Sequence, residues 1–175
     1  LRRSSAASDV YKRQVYDSSS QKVVIVYKDN DGSLYYSRAI VGTVSGTSIS
    51  FGTAVVVSAT NSTAVRAVYD STNGKVVVTF MNGSGNHVVV GTVSGTSISF
   101  GSSVVVDSVY SAYLFPVYDS TNDKLVVAYA DSGNSNSGTA IVVVTTGFSI
   151  NQLGSAEVFE SAFNNKRSVV YDSNK

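Results

Sequence analysis

The chain has 175 residues, 43% of them hydrophobic and 14% charged, with a formal net charge of +1. Eleven tyrosines and seven phenylalanines give it a globular, strand-forming composition. The absence of cysteine excludes a disulfide framework and a thiolate metal site, and no apolar run reaches the roughly 18 residues a membrane helix requires, which argues against membrane insertion.

The first segment, LRRSSAASDVYKRQ (Leu1 to Gln14), differs in character from the remainder of the chain. Its stretch from Ser4 to Gln14 resembles the in-frame translation of a transposase-type sequencing adapter, with every codon in agreement. Residues 1–14 are therefore expected to be an adapter-derived or disordered leader outside the fold. Arg2, Arg3, Lys12 and Arg13 sit there against Asp9 alone, so the remaining chain carries 9 basic and 11 acidic side chains, a net charge of −2. The basic balance belongs to the leader, and nucleic-acid binding loses its compositional support.

From Val15 onward the chain repeats. VYDS recurs at Val15, Val68, Val117 and Val170, with periods of 53, 49 and 53 residues. The segment VGTVSGTSISFG occurs twice without change, at Val41 to Gly52 and at Val90 to Gly101. Periods near 50 point to a propeller, solenoid or tandem array before any single-core fold. The expected units are 15–67, 68–116 and 117–169, with 170–175 starting a fourth.

Within the second unit, AVRAVYD reads as a strand and DSTNG as a turn closed by Gly74. KVVVTF is a β-branched run too short for a helix, MNGSGN a second turn and HVVVGTVS a third strand. GT then leads into SISFGSSVVV, where Ile98 and Phe100 share a face and Gly101 marks a bulge or bend. Four antiparallel strands every 50 residues are the pattern of a propeller blade. The fold class expected is all-β: a partial β-propeller of three four-stranded blades plus the start of a fourth. A tandem array of β-sandwiches is the competing architecture. The repeated structural positions are Tyr16, Asp17, Tyr69, Asp70, Tyr118, Asp119, Tyr171 and Asp172, with Gly46, Phe51, Gly52, Gly95, Phe100 and Gly101.

The units VYDSTNGKVVVTF, AIVGTVSGTSISFG and EVFESA resemble the propeller repeats of large bacterial surface proteins and phage tail-associated proteins, many from metagenomic sequence. The resemblance implies a fragment of an extracellular, cell-surface or virion protein, with the remaining blades of the same chain as partners. Three blades leave two sheet faces without a neighbour, so the chain reads as a slice of something longer.

Each catalytic or metal reading has a simpler rival. A carboxylate in every unit could line a channel mouth, yet an Asp that opens a turn by accepting backbone N–H bonds explains the same pattern, and equivalent acids offer no acid/base asymmetry. Asp29 and Asp31 are spaced like the opening of a calcium loop but lack the downstream Glu, and Asp131 is followed only by Asn, Ser and Gly. His87 is read as a surface residue, and one or both of Glu157 and Glu160 as facing water at the edge of the fourth strand. SGTSISFG occupies the turn of a sialidase-type Asp-box but has neither its Asp nor its Trp. Asn61 and Asn82 begin glycosylation sequons. No catalytic residue, metal site or cofactor is assigned. The reading is a structural or recognition module that binds a glycan or protein; the alternative is a non-catalytic part of a propeller carbohydrate-active enzyme.

Overall fold

The structure, a computed structural model, describes residues 13–30, 34–109 and 112–161. Its strands form three antiparallel sheets, and the helical element among the described residues is a 3₁₀ turn, Ser132–Asn134. The first sheet holds β1 (Arg13–Asp17), β2 (Lys22–Asn30), β3 (Tyr35–Ser45), β4 (Ser48–Phe51) and β5 (Val55–Ser58). The second holds β6 (Thr63–Asp70), β7 (Lys75–Asn82), β8 (Gly85–Ser94), β9 (Ser97–Phe100) and β10 (Val104–Asp107). The third holds β11 (Ala112–Asp119), β12 (Lys124–Asp131), β13 (Ser137–Thr146), β14 (Ser149–Leu153) and β15 (Glu157–Glu160).

Each sheet has four strand positions, of which the last is split. In the first sheet β4 pairs with Gly42 to Ser45 and β5 with Ser37 to Ala39, so both halves lie along β3. The break falls at Gly52, whose N–H donates to the Val41 carbonyl at 2.9 Å; Gly101 does the same to Val90, and Gly154 to Val142 at 2.8 Å. The bend expected at Gly101 is thus present in all three sheets.

Three boundaries differ from the sequence reading. Arg13 and Gln14, placed in the leader, belong to β1 and pair with Val26 and Ile25. Backbone pairing is indifferent to side-chain origin, and β2 is long enough to offer these extra partners. Residues 1–12 lie outside the described residues, as do Tyr171, Asp172 and the start of a fourth unit. The expected divisions before Val68 and Val117 cut through β6 and β11, because the VYD letters end a strand instead of starting a unit. In space the sheets run 13–58, 63–107 and 112–160.

The sheets stack through two apolar layers. Val24, Val26, Ala39 and Val41 of the first sheet meet Val76, Val78, Phe80 and Val89 of the second. On its other side, Val77, Met81 and Val88 meet Leu125, Val127, Tyr129 and Ile141 of the third. The middle sheet is therefore covered twice, and β7 is buried at almost every position, while β2 of the first sheet is not. Burying a Val or Leu side chain contributes about 1.5–3 kcal/mol, so these layers dominate the favourable energy. β1 packs on β6 and β6 on β11, with fewer approaches among the outer strands. The sheets fan from their first strands, as blades do in a partial propeller.

Candidate functional site

The chemistry-bearing residues gather where the first and second strands of each blade meet. A four-residue turn joins Asp17 to Lys22, Asp70 to Lys75 and Asp119 to Lys124. In each, the leading Asp opens the turn as an acceptor. Asp17 Oδ1 takes the N–H groups of Ser19 and Ser20 at 3.0 and 3.1 Å. Asp70 Oδ1 takes that of Asn73 at 2.9 Å, and Asp119 Oδ1 those of Thr121 and Asn122 at 3.0 and 3.1 Å. The last turn residue is left-handed in all three: Gln21 at φ 56°, Gly74 at 62° and Asp123 at 54°. Gly74 meets that demand at no steric cost; Gln21 and Asp123 adopt it under the constraint of the hairpin.

Tyr69 and Tyr118, the tyrosines before Asp70 and Asp119, reach back to the preceding blade. The Tyr69 hydroxyl lies 2.7 Å from Ser19 Oγ and accepts the Ser19 N–H at 3.2 Å. Tyr118 donates to Asp123 Oδ1 at 2.6 Å and is also hydrogen-bonded to Thr72 and Asp70 in the second turn. Burial, reinforced by the Asp123 hydrogen bond, pushes the Tyr118 phenol well above its ordinary range. Asp70 is enclosed further: Thr145 Oγ1 donates to its Oδ2 at 3.0 Å, and Asn73 Nδ2 bridges it to Asp123 Oδ1 at 3.1 Å. Asp17 and Asp70, each with a following blade, are buried; Asp119, on the last described blade, is half-buried. Tyr16, with no preceding blade among the described residues, is 58% exposed.

These carboxylates are engaged by backbone and side-chain donors. What the turns present outward is hydroxyl and amide: Ser18, Ser71, Ser120, Thr121 and Asn122 are exposed. Gly46 and Gly95, at φ 58° and 60°, lead the two-residue loops between the third and fourth strands at the same end of each blade. Phe51 and Phe100 stand opposite Gly42 and Gly91, across which their rings lie.

His87 is not a surface residue. It is 6% exposed, in the middle of the second sheet on the face turned to the first. Its ring stacks on Phe80 with centroids 4.9 Å apart, and Nε2 lies 2.8 Å from Asn82 Oδ1 and 3.1 Å from Ser84 Oγ. Burial lowers its pKa. No local pattern signals this burial, since the same position is Arg38 in the first blade and Thr139 in the third. Asn82 Nδ2 donates to Thr60 Oγ1, so the second sequon points into the fold. The first, at Asn61, is exposed.

The calcium-like loop divides. Asp29 Oδ2 is 2.7 Å from Arg38 Nε in an ion pair, and Asp31 lies outside the described residues. Asp131 Oδ1 accepts the Gly133 N–H at 2.9 Å and caps the 3₁₀ turn. Glu157 and Glu160 are exposed on the edge strand β15. Among the described residues no three His, Cys, Asp or Glu side chains converge as metal ligands, and no helix is long and apolar enough to cross a membrane.

No protein-family model, curated protein or solved structure matches this chain.

Proposed function

We propose that the chain is a recognition module of a larger extracellular, cell-surface or virion-tail protein, and that the turn end of the blades binds a glycan or protein surface. One observation carries the reading: in all three blades the Asp is turned inward to hold the loop, while Ser, Thr and Asn side chains are left outward at one end. Such a row supplies adaptable donors and acceptors on turns held at the ends of rigid strands. Hydroxyls and amides without a free carboxylate suit neutral, hydrogen-bonding partners better than cationic ones.

The test is a glycan array probed with the purified chain, beside the double variant S71R/S120R, which alters two exposed turn positions and leaves the aspartates intact. The expected result is binding to a defined oligosaccharide class by the parent and its loss in the variant. A protein partner would give a silent array and capture of a variant-sensitive partner. Binding unchanged by both arginines would overturn the reading.

A further inference from the structure

Both outer faces of the three-blade stack are halves of an interface that the molecule already contains twice. On the first blade, Ile25, Tyr27, Ile40 and Phe51 line an open groove of about 230 Å³. Their repeat equivalents in the second blade are Val78, Phe80, Val89 and Phe100, all packed in the layer against the first blade. The groove is therefore the same surface without its partner. On the third blade the opposite surface has no partner among the described residues. Val142 is 41% exposed, whereas its equivalents Val41 and Val90 are 1% and 0% exposed beneath the following blade.

The glycines make the match specific. A Cβ on Gly52 would come 1.9 Å from the Thr96 carbonyl oxygen, and one on Gly101 2.3 Å from that of Phe148, so each glycine admits the turn of the next blade. Gly154 keeps the same backbone hydrogen bond as these two. Yet a Cβ there would meet only its own blade, with Val142 O nearest at 3.3 Å. The third blade thus carries the clearance for an incoming Gly-Thr or Gly-Phe turn and has none in it. At the inner end, Tyr16 is exposed, while Tyr69 and Tyr118 each seat on the preceding turn.

We infer that a second copy of this chain docks head to tail, with its first blade on the third blade of the first copy. Tyr16 then seats on the turn from Asp119 to Asp123, and the Gly46–Thr47 loop enters the space at Gly154. No new complementarity is required, because the joint repeats the two internal ones. The joint is heterologous, and such joints close into rings when the rotation permits. Two copies bring together six of the described blades, a number within the four to eight at which propellers close.

Light scattering on the eluting chain, from about 1 µM to about 1 mM, tests this across the range from tight to weak association. The expected mass rises from 18.4 kDa to twice that value. Gly154→Ala and Tyr16→Ala should each hold the chain at one copy, with the same circular dichroism and urea midpoint as the parent in dilute solution. Val142→Lys, at an exposed site, is a second block on the same face. A mixture of Gly154→Ala and Tyr16→Ala chains should pair again, because one intact joint remains between them. A parent chain of single mass throughout overturns the inference. So does a single variant that still pairs, or a mixture that does not.

Discussion

A Cβ on Gly52 would lie 1.9 Å from the carbonyl oxygen of Thr96, in the next blade. Backbone cannot yield as a flexible side chain can, so the blades must separate to admit a methyl group. Gly52→Ala and Gly101→Ala should each cost about 1–3 kcal/mol by overpacking. Gly154→Ala, which meets nothing closer than 3.3 Å, should stay within about 0.5 kcal/mol in dilute solution. Urea midpoints of the three variants measure the difference.

Asp70 and Asp119 open equivalent turns in different surroundings. Asp70→Ala leaves the buried Thr145 hydroxyl and the Asn73 backbone N–H without their acceptor, a loss of about 2–3 kcal/mol. Asp119→Ala removes acceptors from turn amides that water can reach, a loss of about 1 kcal/mol. Equal losses in chemical denaturation would mean that the following blade adds nothing to the Asp70 site.

The buried phenols set an alkaline limit. Tyr129 is raised to about 12, first by burial and then by Asp107 and Asp131, and Tyr118 higher still by burial and Asp123. The folded chain keeps these protons where the unfolded chain, titrating near 10, releases them. Their contribution is full below pH 10 and is lost as pH rises through the folded values. Melting temperature should fall above pH 10, less steeply for Tyr129→Phe than for the parent.

His87 acts in the opposite direction. Its folded pKa lies below 6.5, so the unfolded chain takes up the proton first, and stability present above pH 6.5 is lost as pH falls. The difference in melting temperature between the parent and His87→Gln should therefore shift in favour of the variant from pH 7 to pH 5. A constant difference would show that the imidazole titrates alike in both states.

Much of the architecture was legible because a duplicated segment adopts the same strands and turns each time it occurs. VYDS marked each inner strand, and the valine runs marked strands covered on both sides. The split of the last strand was foreshadowed by Gly101, but the use of Gly52 and Gly101 as clearance was not, since a contact between units leaves no local pattern. The unit boundaries shifted because period alone does not say where a repeat begins. His87 was misread for a related reason: its burial comes from the neighbouring sheet, and the Gly85 and Asn86 before it in β8 read as a turn. The outward hydroxyls of the turns were visible as composition, whereas the inward role of their aspartates needed the hydrogen bonds.

Ile49 and Ile98 stand at the same place in identical twelve-residue words, yet one is 44% exposed and the other 3%. Environment, not spelling, separates them. Joining the first word directly to the second would remove one 49-residue unit and couple the first three strands of the first blade to the split fourth strand of the second. Blade number would change while the order of strands within a blade stayed the same.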